Sequence, residues 1–369
     1  MNTVPRIGGE LPSDELRYVA LGDSLTEGIG DPLPDGTWRG WAALLADALA
    51  TPRRPVRFER PARSGARCAD VAERQLPPAR RFRPHLASVL VGGNDTLRTS
   101  FDIHHVARSL DTVVGGLVAD GAVVVTACLP DPGRLLGLPG PLARPLARRM
   151  RSLNEVVHTV AARHGALHLH LADHPMLASP GFRSVDRLHP GELGHRLLAR
   201  EVHTLLSVRD PYGGAPPSVR CDRKPPGRVA ATRWMATKGT RWVLDRSRDL
   251  LPGLLGLAVE EARHRVAGTA PLLDRAAEHA TRAALGETGP AVPTGAVRVA
   301  AVDSAPRRDI PGRPAPTPRS PLSPGPPAAE RPIRRVGPGT ARLSPGDIGG
   351  AARSRAPPHR GPTAGDRAR

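Results

Sequence analysis

The sequence predicts an α/β protein: one doubly wound, three-layer αβα domain with a parallel sheet, followed by a helical extension and a disordered tail. Three observations carry that expectation. Short apolar runs of strand length recur at Tyr18 to Leu21, Val56 to Arg60, Ala87 to Val91, Ala122 to Thr126 and Leu167 to Leu171. Stretches with helical spacing of apolar residues separate them, which is the rhythm of βαβ units. Beyond Val208 that alternation ends.

In chain order, the first run breaks at Gly22 and delivers Asp23 and Ser24 to a strand's C-terminal end, the edge at which open α/β sheets gather ligands. Trp38 to Ala50 has helical spacing of Trp41, Leu44, Leu45, Ala48 and Leu49. The weak second strand is followed by a loop, ARSGARCAD, holding Gly65. The third strand runs into Gly92, Gly93, Asn94 and Asp95, and a helix is expected over His105 to Ala119. After the fourth strand, the proline-rich stretch from Leu129 to about Pro145 reads as a loop. A helix over Arg148 to His164 stops at Gly165, and the fifth strand leads to a loop ending in DRLHP, Asp186 to Pro190. The last helix of the block is expected from Gly191 to about Val208.

The expected organisation is an N-terminal segment (1–16), the α/β domain (17–208), a linker (209–228), a basic helical extension (229–285) and a tail (286–369) rich in Pro, Arg and Gly. In the extension, Trp234, Trp242, Val243, Leu250 and Leu254 are the candidate packing residues. The tail from Thr288 has no Phe, Trp or Tyr, so it cannot bury enough apolar area to offset the entropy of ordering it.

A net charge of +18 invites a nucleic-acid reading, but its origin argues against one. Lys224 and Lys238 are the only lysines among 53 basic residues, and the tail alone carries 14 Arg against five acids, half of the total charge. Arginine rising with Ala, Pro and Gly is the mark of biased composition, so no nucleic-acid partner is expected. The pairing of Arg with Trp and Leu in the extension leaves room for a peripheral contact with a membrane surface. Three cysteines, Cys68, Cys128 and Cys221, are widely spaced and odd in number, and show no disulfide framework or CxxC metal pair. The N-terminal residues show no signal-peptide pattern, and the longest apolar run, Leu250 to Val259, is interrupted by Pro252 and Gly253, where a spanning helix needs about 20 residues. A cytoplasmic location is the expectation.

Four loops converge on chemistry. A neutral serine is a weak nucleophile and needs a base within hydrogen-bond reach, and His189 can take the Ser24 proton and return it to a leaving alcohol. Asp186, three residues earlier, can accept from the other ring nitrogen and hold the tautomer. Each loop alone has a bland alternative. The Gly-Asp-Ser turn could be a strand-to-helix cap, and the Gly-Gly-Asn-Asp turn could place Asn94 as a cap of the next helix. DRLHP could begin a helix with a surface ion pair from Asp186 to Arg187 or Arg196. It is their order along one α/β pattern, at one sheet edge, that favours catalysis.

GDSLTEG at Gly22 to Gly28, the Gly65 loop, GGND at Gly92 to Asp95 and DRLHP together resemble the SGNH, or GDSL, hydrolase family, over about Arg17 to Val208. The HPGELGH run from His189 fits lysophospholipase-like or short-chain esterases of that family. The resemblance implies a flavodoxin-like sheet of five parallel strands and ester hydrolysis by an acyl-enzyme route without a metal or other cofactor. It also implies Ser24, Asp186 and His189 as catalytic residues, with the Ser24 and Gly65 N–H groups and the Asn94 amide as the oxyanion hole. Asp23 and Asp95 are expected as supports, and His195 as a helix residue facing solvent or a neighbour. His168 and His170 share one face of a strand, half of a metal site with no third ligand at convincing spacing, and Cys128 reads as a small buried hydrophobe.

The expected substrate is a small or single-acyl ester, with pocket rims from the Asp31 to Thr37 and Leu129 to Pro145 loops. Two other functions compete: acyl transfer to an acceptor other than water, and a non-catalytic module whose basic C-terminal part binds anionic membrane or nucleic acid.

Overall fold

The computed structural model describes residues 11–210, 213–223 and 240–289, with side chains from 253 onward in the last stretch, and all of these fall within one compact unit. Trp234 and the tail from 290 onward lie outside the described residues, as do the side chains of Trp242, Val243 and Leu250.

Five parallel strands, β1 (Leu16–Gly22), β2 (Val56–Glu59), β3 (Leu86–Leu90), β4 (Val123–Ala127) and β5 (Leu167–Leu169), form one sheet in the order β2-β1-β3-β4-β5. The register pairs Leu21 with Val89 and Val89 with Thr126. Strands β1, β3 and β4 are buried almost throughout because both faces of the sheet are covered, which is why they read as unbroken apolar runs.

Alternation along each strand sends neighbours to opposite cores. Val19, Leu21, Val89 and Val124 pack on α3 (Ile103–Ala119) and α4 (Gly140–His164). Tyr18, Ala20, Leu90 and Val125 pack on α2 (Gly40–Leu49) and α5 (Glu192–Leu206) through Trp41, Leu45, Leu198 and Val202. The result is the three-layer αβα arrangement. The crossover from β1 outward reverses direction between β1 and β3, and the loops after these two strands carry Ser24 and Asn94.

The segment after β4 differs from expectation. A short helix occupies Pro132–Leu136, and α4 begins at Gly140, eight residues before the expected start. Pro139 and Pro141 sit at the helix entrance, where a missing N–H costs nothing, and Pro145 forfeits one backbone bond while packing in the interior beside fully buried Leu146. Tertiary packing here outweighs local propensity.

Part of the expected linker lies against the domain. Asp210 forms a fully buried two-point pair with Arg54 at 2.6 and 2.9 Å, and Asp222 accepts from Arg39 and Arg196 at 2.7 and 2.6 Å. Beyond it, two helices, α6 (Thr240–Val266) and α7 (Ala270–Glu287), pack on the α3/α4 side. Arg148 of α4 reaches Glu261 at 3.0 Å and Asp274 at 2.9 Å, and Ala284 of α7 joins the core. No helix among the described residues is long and apolar enough to cross a membrane.

Candidate active site

The first loop is shaped by Gly22, whose φ of +147° and lack of a Cβ let β1 pass close to β3; a methyl group there would run into the Leu90 carbonyl. Gln75 clamps this residue from both sides, accepting from the Gly22 N–H and donating to its carbonyl, each at 2.9 Å. Asp23 then caps the short helix α1 (Ser24–Glu27), its carboxylate accepting from the Leu25 N–H at 3.0 Å. Ser24 is the first residue of that helix, so no preceding turn supplies a partner for its N–H.

Its hydroxyl donates to His189 Nε2 at 2.7 Å, and His189 Nδ1 donates to Asp186 Oδ2 at 2.7 Å. The other Asp186 oxygen accepts three bonds, from the Ser184 hydroxyl (2.6 Å) and the Leu188 and His189 N–H groups (2.9 and 3.0 Å). With one oxygen saturated locally, the second can face only the imidazole. Burial acts to raise the Asp186 pKa, but the His189 bond and charge and the Ser184 hydroxyl outweigh it and hold it at about 2. The turn is closed by Arg187 at φ +61°, left-handed without being glycine.

His195 fastens this loop region to the first one. It is fully buried, accepts from the Trp41 N–H at 3.2 Å and donates to the Ile29 carbonyl at 3.0 Å. Of the two expected orientations it therefore takes the one facing a neighbour. Arg196 pairs with Glu192 and Asp222, so the bland alternative of an Asp186–Arg196 ion pair does not occur.

Asn94 follows β3 on a short turn of helix, Gly93–Thr96, with Gly92 rather than itself at the cap. Its amide donates to Asp23 Oδ2 at 3.3 Å, long for such a bond, and to the Ala66 carbonyl at 3.1 Å. Gly65 lies in the left-handed region at φ +80°, and its neighbours are tied down: Ser64 N–H to Glu27 at 2.7 Å, Ala66 O to Asn94. Asp95 accepts from the Cys68 N–H at 3.1 Å.

Ser24, Asp23, Asn94 and His189 line one pocket; Asp186 stands behind the imidazole, and Gly65 borders a neighbouring depression with Leu97 and Arg98. The pocket wall is apolar, built chiefly by Leu25, Leu129, Leu135, Met150, Leu171 and Phe182. The Leu129 to Pro145 stretch thus contributes as expected. The Asp31 to Thr37 loop does not line this pocket; Asp31 is instead buried, bonded to Arg39 at 2.9 Å and Arg223 at 3.1 Å.

Burial pushes the Asp23 and Asp95 carboxyls up to about 6, partly offset by the N–H bonds from Leu25 and Cys68. Each is protonated in the fold over a range where the unfolded chain has already ionised. The stability gained is complete below about pH 4 and is lost as pH rises through about 6. Asp186 has the opposite sign, its contribution fading only as pH falls from about 4 toward 2. The stability of the wild type relative to Asp95→Asn, measured by thermal unfolding, should therefore decline between pH 4 and 6, a difference in which the opposite contributions of buried His168 and His195, lowered to about 3 and about 4, cancel. An unaltered slope in that variant would contradict the assignment.

Sequence reasoning missed Gln75 and Ser184, which carry no motif. It also saw only half of a second cluster. His168 and His170 are joined by His158 of α4 and by Cys128 after β4. Cys128 is buried as expected, with its thiol accepting from the Ala172 N–H.

Residues 20–197 match the GDSL-like Lipase/Acylhydrolase family. Similar solved structures include LAE5, an alpha/beta hydrolase enzyme from the metagenome of Lake Arreo, at 21% identity and a TM-score of 0.45, covering 55% of this chain and 100% of that one. Axe2, an acetylxylan esterase from Geobacillus stearothermophilus, is 19% identical with a TM-score of 0.44, covering 55% and 96%. TesA is 23% identical with a TM-score of 0.43, covering 52% and 98%. No curated protein sequence matches the chain. Residues 20–197 thus form a GDSL-like lipase/acylhydrolase domain, and this match supports a hydrolase acting on esters.

Proposed function

We propose that the protein is a serine esterase that cleaves small or single-acyl esters through an acyl-enzyme. The observation that carries this reading is the unbroken relay from Ser24 through His189 to Asp186, two bonds of 2.7 Å opening onto an apolar pocket. Ser24 Oγ attacks the ester carbonyl as His189 Nε2 removes its proton, and the same proton goes to the departing alkoxide. Water, activated by His189 in the same way, then releases the acid and restores the serine.

The negative charge on the tetrahedral oxygen falls to the Ser24 and Gly65 N–H groups and the Asn94 amide. Each such donor is typically worth about 2.7–4 kcal/mol in the transition state. The Asn94 amide rests on Asp23 and the Ala66 carbonyl, and its long bond to Asp23 is easily traded for one to a charged oxygen. Asp23 and Asp95 act as supports, holding Asn94 and the Gly65 loop.

The acyl chain is assigned to the leucine-rich wall, where each buried methylene contributes about 0.8 kcal/mol. A series of nitrophenyl esters tests this assignment. Extending the acyl chain beyond acetate should raise kcat/KM, by about threefold to fourfold per added methylene, until the pocket is filled. A fall at every added carbon would contradict a pocket that takes the acyl group.

A further inference from the structure

The second cluster lies at the β5 edge of the sheet and uses no residue of the Ser24 relay. His168 is the middle residue of β5, His170 follows that strand, His158 projects from α4, and Cys128 follows β4. One ligand atom from each of the four lies within 4.8 Å of all the others. The three rings pack edge to face, with centroids 4.3, 4.9 and 5.0 Å apart and interplanar angles of 63° to 86°.

A second observation concerns one atom. The Thr126 hydroxyl lies 2.9 Å from His168 Nδ1 and 3.4 Å from the Leu167 carbonyl. In the tautomer whose Nδ1 donates to that hydroxyl Nε2 is bare, and Nε2 is buried with no hydrogen-bond partner among the described residues. A buried bare acceptor is costly and calls for an explanation such as an ion. A ring fixed through Nδ1 by a neighbouring oxygen, with Nε2 bare, is also how metal-binding histidines are oriented.

We propose that Cys128, His158, His168 and His170 form a four-ligand site for a divalent transition metal of borderline softness, zinc foremost, tying the ends of β4 and β5 to α4. Thiolate and imidazole donors suit zinc and its neighbours, not magnesium or calcium. Tetrahedral zinc with bonds of about 2.0–2.3 Å sets donors about 3.3–3.7 Å apart, so the four must close by about an ångström, within reach of side-chain rotation. Binding forms three N–metal bonds and one S–metal bond. The Cys128 S–H bond breaks and its proton passes to solvent, while the Ala172 N–H, 3.3 Å from Sγ, remains to support the thiolate. Cys128 precedes Leu129 and His170 precedes Leu171, two walls of the ester pocket, so the ion would staple that wall from behind.

The test uses the full chain, free of any affinity tag and stripped with a chelator, titrated with cobalt(II) and then zinc(II). One cobalt per chain should bind with a thiolate-to-cobalt charge-transfer absorption that zinc abolishes, and zinc should raise the Tm by several degrees. Cys128→Ser should lose that absorption. His158→Ala and His170→Ala should weaken zinc binding by roughly 100-fold or more, exceeding what loss of an outer-shell partner does. His170 is exposed, so its replacement leaves the core intact. Ser24→Ala should bind metal as the wild type does. Absence of the charge-transfer absorption in the wild type overturns the proposal. So does zinc binding that is unchanged in the histidine variants, which would mark adventitious ligands elsewhere in the chain.

Discussion

Ser24→Ala should lower kcat for nitrophenyl acetate by about 10⁴- to 10⁶-fold, the range seen when a serine nucleophile is removed. The side chain is half-buried and its hydroxyl meets the His189 ring nitrogen, so the change removes one contact and leaves no appreciable void. Stability should stay within about 0.5 kcal/mol of wild type. Circular dichroism and Tm alongside the kinetics separate a chemical loss from an unfolded protein. A variant that folds and keeps its turnover would remove Ser24 from the reaction.

Asp186→Asn should cost about 10⁴ in kcat, for a reason set by the local bonds. One carboxylate oxygen takes the Ser184 hydroxyl and two backbone N–H groups, so an asparagine must place its carbonyl there. Its NH2 then faces His189 Nδ1, two donors opposed. The ring responds by moving its proton to Nε2, which can no longer accept from Ser24 Oγ. The fold needs no repair, because the three local bonds survive. Asp186 is held at about 2, so the wild-type carboxylate is ionised across any ordinary assay range and the loss should persist throughout it. A loss of less than about tenfold would mean that the tautomer is fixed by something other than Asp186.

Much of this architecture is legible in the chain because buried parallel strands announce themselves. Ala87 to Val91 and Ala122 to Thr126 are apolar on both faces, and the observed strands lie within one residue of those bounds. The candidate site's residues are legible for a related reason: Ser24, Asn94 and His189 sit in loops that directly follow a strand or precede a helix, and chain order predicts which sheet edge they share. What stays hidden depends on partners far apart in sequence. Gln75 clamps Gly22 from 53 residues away, and nothing in its neighbourhood marks it. His158 and Cys128 are as remote from His168 in pattern as any helix and loop residues; the pairing of β4 with β5 brings Cys128 there, and α4 lying along β5 brings His158. Pro139, Pro141 and Pro145 pointed to a loop where packing supports a helix. The Asp31 to Thr37 loop, which follows Gly28, is expected at the pocket, but the buried Asp31–Arg39 pair commits its first residue elsewhere.

The most direct measurement is a rapid-quench experiment with a nitrophenyl ester, followed by mass spectrometry of the digested protein. Wild type should gain one acyl group per chain, on the peptide that contains Ser24, within the first turnover, and Asp186→Asn should acylate far more slowly. An acyl group carried on any other residue, or steady turnover with Ser24 never acylated, would contradict the mechanism.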